Sequence, residues 1–150
     1  MRVFSSGEVR LRSDDPVDDP IVDFRFLSDE RDLIRLRDGV KRMIAVVRRP
    51  SMVDVAEQVT VQETTIEELD NDQAIDTWLA AVVGDYVHAV GTCRMGRPDD
   101  DGAVVDLDGA VRGYQALHVV DASVMPDLPK CNTNLTTIAI AERLVRRMRS

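Results

Sequence analysis

Histidine and cysteine are scarce in this chain of 150 residues, which has only His88, His118, Cys93 and Cys131. An all-histidine metal site is therefore excluded, and a mixed site lacks the clustered ligands that zinc or iron needs. The two cysteines are far apart and fit no metal-ligand spacing, so they are expected as reduced, part-buried thiols in a reducing compartment. Basic residues are outnumbered, nineteen against twenty-seven acidic, for a formal charge of −8. Between 51 and 100 only Arg94 and Arg97 face eleven acids, which argues against a nucleic-acid partner. No run reaches the ~18 apolar residues of a membrane span. The opening MRVFSSGEVRLRS has no apolar signal-peptide core, so a cytoplasmic location is expected. The eight glycines contain no G-x-G pair, and so the dinucleotide-binding fingerprint is absent. What is present, 44% hydrophobic and 31% charged residues without low-complexity tracts, is the composition of a globular chain able to bury a core.

The periodicity implies an α+β fold. Val9 and Leu11 alternate with charged neighbours as in a half-buried strand, which ends at the acidic, Pro-rich turn Asp14 to Pro20. Leu33, Leu36, Val40, Met43 and Val47 recur at helical steps behind Ser28 as N-cap, and Pro50 closes the pattern. Val59 and Val61 mark another strand. Ile75, Trp78, Leu79 and Val82 share one face of a second helix capped by Asp70 or Asn71 and stopped at Gly84. Strands are expected at Tyr86 to Val90 and Leu117 to Val120, with turns joining short strands between Gly91 and Gly113. After a long loop from Asp121 to Asn132, a last helix is expected over Thr136 to Met148. Ile138, Ala141, Val145 and Met148 are its expected inward face.

Two motifs bear on chemistry. Gly91 and Gly96 in GTCRMGRP are spaced like phosphate-loop glycines, but Arg97-Pro98 replaces the Lys and Ser/Thr that would hold phosphate and magnesium. His118, beside Val119, reads as a structural sheet histidine. His88 lies where an expected strand runs into Gly91-Thr92, a place where a scaffold presents side chains to a cleft. The residues alone leave its role open between structure and catalysis. Polar amides for a histidine base to work with occur in Lys130-Cys131-Asn132-Thr133-Asn134.

The segments HAVGTCRMG (88 to 96), GAVVDLDGAVRG (102 to 113) and ALHVVDASVMPDLPKCNTNLTTIAIAERL (116 to 144) closely resemble, in order and spacing, the C-terminal signature of the glucose-methanol-choline family of flavin oxidoreductases. Residues 7 to 43 are similar to the entry to that family's substrate-side region, leaving only about 50 to 80 without a matching motif. The resemblance implies an antiparallel sheet flanked by helices, over 1 to 150. A C-terminal strand-loop-helix, from about 115, would complete an FAD-binding domain. It implies FAD as cofactor and a small-molecule alcohol as substrate. His88 would be the base and Asn132 the second catalytic position. Asp121, Ala122, Asn134, Leu135 and Thr136 would lie against the cofactor. The family's N-terminal half, which grips the ADP portion of FAD, is missing here and is expected as a partner in cis or in trans, with this chain alone inactive. A lyase of the same family and a non-catalytic binding module are the alternatives. His118 stands where the family often carries Arg.

Overall fold

The computed structural model describes residues 3–56 and 58–149. Two compact units are distinguished. One holds Phe4–Gly7 and Asp23–Gly84, and the other is built mainly from Glu8–Val22 and the chain from Asp85 onward.

Helix α1 (Glu30–Val47) and helix α3 (Asp72–Val82) organise the first of these, joined through the single turn α2 (Pro50–Val53) and the two-residue strands β3 (Thr60–Val61) and β4 (Thr64–Thr65). β3 and β4 pair antiparallel, Thr60 opposite Thr65. The cap of α1 is Asp29, whose carboxylate accepts from the Arg31 amide, and not Ser28. Ser28 is one residue early because its own amide closes a turn onto the Arg25 carbonyl at 3.1 Å, within a stretch where Arg25 and Leu27 both have positive φ. The Arg31 side chain also donates to Asp29, which holds that carboxyl down at about 2. Asn71 caps α3 through the Ala74 amide at 2.9 Å. The core is Ile44, Ile66, Leu69, Ile75 and Leu79, with Leu33, Leu36, Val40 and Met43 of α1 and Trp78 of α3 packed around it. Each fully buried aliphatic side chain contributes roughly 1.5–3 kcal/mol. Arg37 locks the two helices by a fork onto Asp76, at 2.7 and 2.8 Å, and a third bond to Asp72.

Buried Asp32, in the first turn of α1, accepts from the amides of Phe4 and Ser5 and from the Ser5 hydroxyl. Burial works against its charge, but these hydrogen bonds outweigh it and hold the carboxyl below its ordinary range. Gly7 makes the adjoining approach feasible: a Cβ there would lie 2.0 Å from the Asp23 carbonyl oxygen.

In the second unit, strand β1 (Glu8–Arg10) pairs with β2 (Ile21–Asp23). The acidic turn between them is fastened by Asp15, whose carboxylate accepts from the Val17 amide. Beyond Asp85 the expected short strands reduce to isolated bridges, Met95 to Val105, Val105 to Val111 and Ala110 to His118. The expected strand Leu117 to Val120 is therefore a single bridge at His118. The expected strand Tyr86 to Val90 does not form. Pairing is still antiparallel in β3–β4 and in two of the three bridges, within an α+β fold. Helix α4 (Thr133–Met148) starts three residues before the expected Thr136, because the Asn132 side chain caps it. Its buried face is Thr133 and Leu144 with partly buried Ile140, packed on Val105 and Val124. The expected inward residues Ile138, Val145 and Met148 are exposed instead. No helix among the described residues is long and apolar enough to cross a membrane.

Candidate functional site

The segment carrying His88 leaves α3 through Val83 and enters irregular backbone at Asp85. There the Asp85 carboxylate accepts from the Val87 amide at 2.8 Å, a turn that Asp forms readily. Val87 sits at φ +54°, a conformation that costs a β-branched residue on the order of 1–3 kcal/mol. The chain cannot continue as a strand through that angle, which is why the expected strand Tyr86 to Val90 does not form. His88 therefore projects from a strained turn and not from a strand end. Its imidazole meets the Tyr86 ring at a centroid distance of 5.4 Å and an interplanar angle of 63°. Nδ1 is sealed from solvent without a hydrogen-bond partner, whereas Nε2 is not so sealed.

Downstream, Gly91 takes φ +90° and the chain doubles back along the turn after Asp121. The Cys93 amide donates to the Ser123 carbonyl at 3.1 Å, and the Met95 amide to the Val124 carbonyl at 2.8 Å. The 3₁₀ turn Ala122–Val124 is capped by Asp121, whose carboxylate accepts from the Ser123 amide and hydroxyl. Asp121 is thus committed locally, and what it can offer a ligand is backbone. Val124 is fully buried against Val105 and Leu144, with Met95 packed on them, so the chain at Met95, the Asp121 turn and α4 share one core.

The other side of the loop is also braced. Arg94 forks onto Asp100 at 2.6 and 2.7 Å, and Arg112 reaches the carbonyls of Asp100, Gly96 and Arg97. These bonds raise the Arg94 guanidinium and lower the Asp100 carboxyl, chiefly through their mutual hydrogen bonds. Gly102 lies against this fork: a Cβ there would fall 2.2 Å from Arg94 Nη2.

At the start of α4, exposed Asn132 accepts from the Asn134 amide at 3.2 Å with Oδ1. Its Nδ2 makes no hydrogen bond among the described residues, so the group left to give is a donor. The same cap satisfies only one of the first amides of the helix, whose positive end carries roughly half a charge. Asn134 is exposed, Leu135 is 78% exposed and Thr136 is half-buried, with Cys131 Sγ 3.8 Å from the Thr136 hydroxyl. Cys131 is exposed and Cys93 half-buried, and both are free. His88 and Asn132 share no hydrogen bond among the described residues. They belong to one unit and are linked through Cys93–Ser123, Val124 and Leu144. The features that sequence reasoning missed are the Asp85–Val87 turn and the Tyr86 ring against His88. An Asp two residues before Val87 was the signal available.

The start of α4 offers uncommitted amides, a primary-amide donor at Asn132 and an open apolar side chain at Leu135, a set that suits a planar group on which negative charge develops. Residues 3–141 match the family model for the C-terminal part of GMC oxidoreductases. The chain is 38% identical to a 5-(hydroxymethyl)furfural oxidase from Methylovorus sp. strain MP688 over 149 residues, covering 93% of this chain and 28% of that protein. It is 32% identical to oxygen-dependent choline dehydrogenase 1 of Chromohalobacter salexigens, covering 99% of this chain and 26% of that one. The pyridoxine 4-oxidase structure from Mesorbium loti superposes with a TM-score of 0.85 at 30% identity, over 97% of this chain and 28% of the other. A formate oxidase of Aspergillus oryzae, in a structure concerned with modification of its FAD, gives 0.79 at 26% identity, over 95% and 24%. The chain spans about a quarter of the length of these relatives. It belongs to the GMC oxidoreductase family and corresponds to its C-terminal region.

Proposed function

We propose that this chain is the substrate-side portion of an FAD-dependent oxidoreductase that oxidises the CH–OH group of a small-molecule alcohol. The observation that carries the reading is His88, presented from the Asp85–Val87 turn with Nδ1 sealed and Nε2 not so sealed, in the same compact unit as the exposed cap residue Asn132. His88 Nε2 takes the hydroxyl proton. A neutral imidazole suits this because its unprotonated nitrogen keeps a lone pair that can accept a proton. Asn132 donates Nδ2–H to the developing alkoxide, a role in which one preorganised donor is worth roughly 10²-fold to 10³-fold in rate. Its Oδ1 is engaged with the Asn134 amide, so the cap orients the amide with the donor outward.

FAD supplies the hydride acceptor, and the residues that would lie against it are the backbone at Asp121 and Ala122 and the helix start Asn134, Leu135 and Thr136. The positive end of α4 favours negative charge there. The pyrophosphate and adenosine contacts belong to an N-terminal flavin-binding half, supplied in cis or in trans, without which this chain is inactive. Residues from about 115 onward pack against that half.

The test is anaerobic stopped-flow reduction of the flavin by alcohol, in the protein joined to its flavin-binding half. His88→Ala is expected to slow reduction at least about 10²-fold, Asn132→Ala to slow it less, and His118→Ala to change it little. A larger loss at His118 than at His88 would reverse the assignment.

A further inference from the structure

We infer that Tyr86 and Val87 are positioning residues for His88, acting through the imidazole and not on the substrate. The inference rests on the reading of His88 as the base. Its grounds are local and structural. An imidazole with Nδ1 sealed and unbonded has no hydrogen bond to fix its ring orientation, unlike a catalytic histidine whose second nitrogen is held by a carboxylate or carbonyl. Some other restraint must set the ring angle, and two features supply it.

The first is the Tyr86 ring, at 5.4 Å and 63° from the imidazole, within the range of edge-to-face aromatic pairs. Tyr86 is 81% exposed, so the contact with His88 is not the by-product of a packed core. The second is Val87 between them. At φ +54°, fastened by the Asp85 carboxylate on its amide, it holds residues 86 and 88 at a left-handed turn with their rings in contact, where an extended residue would leave them on one face roughly 6.5 Å apart along a strand. Val87 is itself 83% exposed, so its side chain has no buried partner that would explain the strained angle. Local strain of this kind clusters where a side chain must be held in one orientation.

Two measurements test the inference. In the chain itself, side-chain ¹³C relaxation of the His88 ring is compared with that of His118 as internal reference. Tyr86→Leu is expected to lower the His88 ring order parameter from about 0.85, the rigid scale, to below about 0.6, and to leave His118 unchanged. Tyr86→Phe, which keeps the ring, should restore it. In the protein joined to its flavin-binding half, Tyr86→Leu should slow flavin reduction about three- to tenfold, the scale of one aromatic pair, with KM altered less than about twofold. Tyr86→Phe should return the rate to wild type. Val87→Gly, which adopts the same angle without holding it, should mobilise the His88 ring in the same way. A His88 ring that stays rigid in both Tyr86→Leu and Val87→Gly overturns the inference, as does Tyr86→Phe behaving like Tyr86→Leu. Failure of the underlying reading looks different. There His88→Ala leaves flavin reduction intact, while the relaxation result still reports on Tyr86.

Discussion

Asp32 is a single carboxylate that fastens a separate piece of chain. It takes two amides and one hydroxyl from Phe4 and Ser5, and Asn in its place could accept on one oxygen only while turning an NH₂ toward the same donors. Asp32→Asn is expected to destabilise the fold by about 1–3 kcal/mol, the scale of leaving buried donors unmet, read as a lower urea midpoint at unchanged slope. The pH dependence follows from the sign of the shift. The folded-state pKa is depressed, so the stabilisation is complete above the unfolded value, about 3.9, and is lost as pH falls through the folded-state value. Wild type should therefore lose stability below about pH 4 in excess of Asp32→Asn. Parallel curves for the two proteins across that range would dismiss the clamp. Gly109 offers a second test at this scale. With φ +80° and the Val119 carbonyl oxygen 2.9 Å from a would-be Cβ, Gly109→Ala should lower the melting temperature by several degrees, as a strained substitution against a backbone atom does.

At the scale of elements, α4 is apolar on two sides, of which only one is used within this chain. Leu144 is 2% exposed on the Val105–Val124 core, whereas Leu135 is 78% and Ile138 54% exposed. Leu144→Ala is expected to cost about 2–5 kcal/mol, and Leu135→Ala less than about 0.5 kcal/mol in this chain, by urea unfolding. A comparable loss at both would mean that the exposed side is already engaged. This helix also shows where sequence reasoning reaches its limit. α1 and α3 were legible because each carries one apolar stripe and a nearby cap, with Asp29 displacing Ser28 only because a left-handed turn precedes it. In α4 the spacing points to Ile138, Ala141, Val145 and Met148 as the inward stripe, whereas the buried side is Leu144 with Ile140, and nothing local decides between such faces. The choice is made by Val105 and Val124, distant in sequence. The strands after Asp85 failed for the same reason, since a strand depends on partners that period-2 alternation does not specify. A strand is expected over Tyr86 to Val90, and one backbone angle at Val87 decides otherwise. The signature residues themselves were legible. Their linkage through the Cys93–Ser123 bond was not.

Over the whole chain, the absent G-x-G pair and the open side of α4 have consequences for ligand binding and association. FAD added to this chain should bind weakly or not at all, because no G-x-G pair is present to cradle a pyrophosphate and offset the cost of ordering a dinucleotide. Stoichiometric quenching of flavin fluorescence by the chain alone would show that it holds the cofactor unaided. Exposed Leu117, Leu135, Ile138 and Met148 should also make the isolated chain self-associate as concentration rises. Sedimentation at several concentrations would measure this, and a monomer throughout would argue against an unpartnered surface.

The interruption of one unit's sequence by the other's has a further consequence, for the order of synthesis. Apart from Phe4–Gly7, the α1–α3 unit is one uninterrupted run, Asp23–Gly84, whereas its host is split into stretches before and after it. On the ribosome the run emerges whole while its host still lacks every residue of the Val105–Val124–Leu144 core. At roughly 5–20 residues per second, the host waits several seconds for Leu144 after Gly84 has been made. The inserted unit thus has the time and the contacts to fold first, and the part bearing His88 is completed last, around α4.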